Sequence, residues 1–128
     1  MTDQPDLPAS PIGFGRIAAT LPVRDIARAC AFYEGALGFS RSFQNGEPVG
    51  FVILTSGAAE LHLTLQPGHR AAPFPVAHML VDDIEALHAL CQSRGLRIVK
   101  GLKSQDYGLR AFVFEDPDGN RIDVGQRL

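Results

Sequence analysis

The sequence predicts an α+β fold: two βαβββ modules whose curved mixed sheets form around a concave cleft. Two observations predict it. "LPVRDIARACAFYEGALGF" at 21–39 and "HMLVDDIEALHALCQSRGL" at 78–96 follow one plan, in which Val23-x-Asp25-Ile26 lines up with Val81-x-Asp83-Ile84. Each opens a helical pattern that closes at a glycine, Gly38 or Gly95, and each is followed by three strand-like stretches. The chain is therefore an internal repeat.

Taken in order, residues 1–14 are proline-punctuated without a sustained period and read as a flexible extension. Module 1 then spans about 15–67, a linker about 68–75 inside the Pro/Gly-rich "QPGHRAAPFP", and module 2 about 76–128. The first helix starts at Asp25, whose carboxylate accepts from free N–H groups; the second starts at Asp83, or at Asp82 with Glu85 completing a capping box. Ile26, Ala29, Cys30, Tyr33 and Leu37 form one stripe, as do Ile84, Leu87, Leu90 and Cys91, so each helix buries one face. A buried thiol is the expected role of both cysteines. His69 and His88 are assigned to the linker and to a helix surface.

The strands follow as "SRSFQ", "VGFVILTS" and "AELHLTL" in module 1, and "RIVK", "LRAFVFE" and "NRIDVG" in module 2. Leu61, Leu63 and Leu65 alternate with Glu60, His62 and Thr64, the period of a sheet with one face under a helix and one face open. His62 belongs to the open face. In module 2 the Asp116-Pro117-Asp118-Gly119-Asn120 turn leads to a strand in which Asp123 points away from Ile122 and Val124, matching His62 in the repeat. Open faces with a few converging polar groups are where a small molecule is expected.

Composition narrows the function classes. The chain has 128 residues, 45% hydrophobic and 20% charged, with formal net charge −2, which describes one soluble domain and offers no basic stripe for nucleic acid. No lysine-led apolar leader opens it and no run of about 18 apolar residues occurs, so neither export nor membrane spanning is expected, and the expected location is cytoplasmic.

These paired modules, with "LPVRD", "AFYEGALGF", "VDDIEAL" and "DPDGNRID", resemble the vicinal oxygen chelate superfamily over residues 15–127. That superfamily includes glyoxalase I, extradiol dioxygenases, fosfomycin-modifying enzymes and bleomycin resistance proteins. In its enzymes a divalent metal is held by one His or Glu from the first and last strand of each module. The resemblance puts the last-strand ligands at His62 and Asp123 and the first-strand ligands at Ala18 and Val76, which have no donor atom. Two protein ligands do not make a tight site for Zn²⁺ or Fe²⁺. His78, two residues beyond Val76, completes an alternative set of His62, His78 and Asp123 for an ion such as Zn, Fe, Ni or Mn. That alternative implies a lyase, isomerase or dioxygenase with Glu60 or Glu115 as general base.

"YGLRAFVFEDPDGNRIDVGQ" at 107–126 is more closely similar to bleomycin resistance proteins, with Ala111 standing where those often have glutamate. This resemblance implies a homodimer that binds a cationic antibiotic between subunits, unaltered and without a metal cofactor. Phe43, Phe51, Tyr107, Phe112 and Phe114 are the expected stacking surfaces, and Glu60, Asp123 and Glu47 the acids that meet positive charge. His62 and His78 are expected pocket walls. Arg110 is expected to pair with Glu115, Asp116 or a ligand carboxylate, and "KGLKSQDYG" at 100–108 to form a mobile rim. The remaining class is a regulatory or interaction domain with no small ligand.

Overall fold

The computed structural model describes residues 10–128. Of the expected N-terminal extension, residues 1–9 lie outside the described residues, and residues 10–14 are exposed and form neither helix nor strand. Strand β1 (Ala19–Val23) leads into helix α1 (Ile26–Cys30), which continues as a π-helical segment over Ala31–Ala36. Strands β2 (Ser40–Asn45), β3 (Phe51–Ser56) and β4 (Ala59–Leu65) complete module 1. Module 2 repeats the order with β5 (Pro75–Leu80), α2 (Ile84–Ser93), β6 (Arg97–Ser104), β7 (Leu109–Glu115) and β8 (Arg121–Arg127).

Each module forms a four-stranded mixed sheet, ordered β1-β4-β3-β2 and β5-β8-β7-β6. The first and last strands of each module run parallel and the remaining pairs antiparallel. This is the predicted α+β architecture of two βαβββ modules, and neither sheet closes into a barrel.

The helices form where the sequence provides caps. Asp25 accepts from the Arg28 N–H at 2.9 Å, and Asp83 from the Ala86 N–H at 3.0 Å. Asp83 rather than Asp82 is thus the cap, and Glu85 is left free to pair with Arg110. The stripes face one core: Ala29, Cys30 and Tyr33 from module 1 join Ile84 and Cys91 from module 2, against Leu21, Leu63, Phe114 and Val124 from the sheets. Both cysteines are buried and unpaired, and burial alone pushes the Cys91 thiol up to about 11.

The five-residue turn does more than reverse the chain. Asp116 and Asn120 are buried, and Asp116 accepts from the N–H groups of Asp118 and Asn120 and from the Tyr33 hydroxyl at 2.7 Å. Asp118 is buried too, and one of its oxygens accepts from the Arg24 backbone N–H and from the Arg24 and Arg28 guanidinium groups. Module 2 thereby grips the start of α1 in module 1. A second grip runs the other way: Arg94, at the end of α2, donates to the Gly35 and Ala36 carbonyls that the π-helical segment leaves free.

Two expectations change, those for His88 and for segment 100–108, while His69 lies in the linker as expected and gains a partner. His88 does not sit on the helix surface: its ring lies edge-on to Phe112 at 4.9 Å, partly buried. His69 is held by Asn120 at 3.1 Å, which fastens the linker to the turn. The segment 100–108 is not wholly a loop, because β6 extends to Ser104. Two register irregularities break the alternation of β6 after Ile98 and after Lys100, and a strand without alternation looks like a loop in sequence. Among the described residues no helix is long and apolar enough to cross a membrane.

Candidate functional site

The candidate residues do not line one cavity; they fall into three neighbouring groups. On the open face of the first sheet, His62 projects from β4 between the core residues Leu61 and Leu63. Its Nε2–H donates to Glu60 at 2.6 Å, and its ring lies edge-on to Phe51 at 5.4 Å, with Phe43 a further 6.3 Å along. Phe43 is half exposed. Arg16 approaches the other Glu60 oxygen at 3.1 Å. The His62 hydrogen bond, aided by the Arg16 charge, holds the Glu60 carboxyl below its ordinary value, so Glu60 is an anion already partnered. Glu47 lies in the exposed turn between β2 and β3.

The second group lines a groove of about 740 Å³ between the inner edges of the two sheets. Ala18 and Val76, where the resemblance places first-strand metal ligands, both line it, with Ile17 and Leu80; its ionisable lining residues are Arg16, Glu60 and His78. On the open face of the second sheet, His78 Nδ1–H donates to Asp123 at 2.7 Å, as their direct register across β5 and β8 dictates. Asp123 thereby orients the His78 imidazole.

The third group is a hollow of about 590 Å³ on that same face. Ala111 and Val113 of β7, only 2% and 5% exposed, lie at its apolar base, with Asp123 on one side and Lys100, Lys103 and Tyr107 on the other side and rim. Tyr107 is 62% exposed and offers a free ring face.

Other candidates lie elsewhere. Phe112 and Phe114, expected as stacking surfaces, are 1% and 0% exposed. They are core residues because the even-numbered positions of β7 face the helices. Arg110 shares that side: its guanidinium reaches Glu85 on α2 and Ser104, not Glu115 or Asp116, and it points away from the hollow. Glu115 is occupied by Arg121 and Arg97. The two hollow lysines were missed in sequence, since the strand appeared to end at Lys100.

The two first-strand positions that the resemblance assigns to metal ligands carry no donor atom. Ala18 and Val76 supply no lone pair, His62 is engaged with Glu60 and His78 with Asp123, and among the described residues no three His, Cys, Asp or Glu side chains gather. The groups present are suited to stacking, hydrogen bonding and charge pairing.

Residues 13–124 match the family model described as the glyoxalase/bleomycin resistance protein/dioxygenase superfamily. No curated protein matches the chain. Among solved structures, the bleomycin resistance determinant encoded on the transposon Tn5 is 28% identical, with TM-score 0.77, covering 89% of this chain and 98% of that one. A bleomycin-binding protein complexed with bleomycin is also 28% identical, with TM-score 0.75 and coverage of 90% and 100%. TnmS3, an antibiotic binding protein from Streptomyces sp. CB03234, is 25% identical, with TM-score 0.74 and coverage of 91% and 99%.

Proposed function

Since the chain belongs to the glyoxalase/bleomycin resistance protein/dioxygenase superfamily, we propose that it binds and sequesters an antibiotic-like small molecule of the bleomycin type. It does so without a metal, leaves the ligand unaltered and works as a homodimer. One observation carries the reading: the hollow on the second sheet combines an apolar floor, an exposed tyrosine ring and converging polar groups, while the positions that would hold a metal are Ala18 and Val76. Two neighbours at 28% identity, a bleomycin resistance determinant and a bleomycin-binding protein, support the ligand class.

Tyr107 is the stacking surface, with Asp123 and His78 as the polar wall. Phe43, Phe51, Glu60 and His62 form a second surface on the other sheet, which a partner subunit brings opposite the hollow. Ile17 and Leu80 of the groove, 92% and 47% exposed, together with the exposed Phe14, supply apolar area of the kind that association buries. Light scattering is expected to give twice the chain mass.

The test is a thermal-shift titration with bleomycin and with planar antibiotics, followed by recovery of the ligand. A ligand at about a hundredfold excess over its Kd adds roughly 2.7 kcal/mol to the folded state, several degrees for a domain of this size. The ligand should be recovered chemically intact, and Tyr107→Ala should reduce the shift. Turnover of the ligand, or one tightly bound divalent ion per subunit that is lost in His62→Ala and Asp123→Ala, would favour a metal-dependent enzyme instead.

A further inference from the structure

We infer that the hollow on the second sheet selects ligands bearing an oxygen-acid anion on a planar ring, a charge opposite to that expected from the resemblance. The inference rests on the proposed binding role of that hollow and revises the ligand's charge, placing an anion there instead of a bleomycin-like cation. It begins with β6. In a regular strand Ile98, Lys100 and Leu102 would share one face. Here Ile98 pairs with Phe114, Lys100 with Val113 and Lys103 with Ala111, so one extra residue is inserted before Lys100 and another before Lys103. The two bulges keep Ile98 and Leu102 packed on the core while turning both lysines to the opposite face, where they line the hollow.

Lys100 and Lys103 stand across from Val113 and Ala111, two residues apart on β7, so the cations occupy neighbouring positions roughly 7 Å apart along the sheet. Like charges placed this way repel. Among the described residues neither lysine has a carboxylate within ion-pair distance. Asp123, the hollow's single acid, is bonded to His78; Glu115, the next acid on that face, is held by Arg121 and Arg97. The position opposite Lys103 is alanine, so no acid is built in there. A ligand anion between the lysines, with its ring against the exposed Tyr107 and above Ala111 and Val113, relieves the repulsion.

Three probes of one shape separate the possibilities: 2-naphthoate, 2-naphthamide and 2-naphthylmethylammonium, titrated into the full chain at low salt by calorimetry and by NMR shifts of the Ala111 and Val113 methyls. The expected result is that naphthoate binds about tenfold or more tighter than the ammonium probe, from a charge-assisted contact. Its affinity should fall as salt is raised. The Lys100→Gln/Lys103→Gln double variant, altered only at exposed positions, should remove that advantage while keeping the unaltered chain's circular dichroism spectrum and urea midpoint, which show that the variant is folded. If the ammonium probe binds as tightly as naphthoate while naphthamide binds in the hollow, the charge inference fails and the binding role stands. If naphthoate binding is unaffected by the double variant, the inference fails likewise. If none of the probes shifts the methyls, both are overturned.

Discussion

Tyr33 shows how much one side chain decides. Its ring lies in the core contributed by both modules, edge-on to Phe32 and to Phe39, and its hydroxyl donates to the buried Asp116. Burial, reinforced by the Asp116 charge, raises the hydroxyl well above its ordinary value of 10.0, while burial also pushes Asp116 up. A raised native value means that the folded state holds the proton more tightly than the unfolded one. The resulting stability is complete below pH 10 and is lost as pH climbs from there toward the native value. Tyr33→Phe should therefore cost about 1.5–3 kcal/mol at neutral pH, for a hydrogen bond to a charged group. It should also flatten the loss of stability above pH 10, read by urea unfolding across pH. Tyr33 was legible in the sequence as a core residue, and its partner was not. Asp116, Asp118 and Asn120 are turn formers, ordinarily solvated, and local sequence does not say that a turn will be buried against another module. The same holds for Phe112 and Phe114: alternation separates two faces without naming which one meets the helix.

At the scale of elements, caps and glycines were the clearest signals. Asp83→Ala should cost about 1 kcal/mol through the lost cap of α2, measured by chemical denaturation. The glycines divide by surroundings. Gly38 and Gly119 both adopt positive φ, 78° and 80°, but a Cβ on Gly38 meets nothing within 4 Å, whereas one on Gly119 would lie 2.7 Å from the Ala71 side chain. Gly38→Ala should cost about 1 kcal/mol of backbone strain, and Gly119→Ala distinctly more, because the linker must also move. Comparing their unfolding midpoints isolates the collision. Element boundaries were read least well in β6, where two inserted residues erase the period of two. That one failure concealed Lys100 and Lys103, and with them the charge of the hollow. Tyr107 and Asp123 were found because both flank a recognisable turn or a regular strand.

For the whole molecule, the repeat made two modules legible, but sequence did not reveal how firmly they are joined. They share one core and exchange side-chain grips through Asp118 and Arg94. Asp118→Ala, which releases Arg24 and Arg28 to solvent and leaves the Arg24 N–H unpaired, should lower stability by about 1–3 kcal/mol. Unfolding should remain a single transition by both circular dichroism and tyrosine fluorescence, since neither module has a core of its own to retain.

The sheet order leaves β6 as an outer margin, and an outer margin is a row of unsatisfied peptide groups that a foreign strand can copy. Its two inserted residues and its Arg97, Lys100 and Lys103 side chains make it irregular and positively charged. The strand that arms the hollow is thus a poor template for amyloid-like stacking. Straightening β6 would make it a regular edge that a foreign strand could copy and would turn Lys100 to the face that Ile98 now packs.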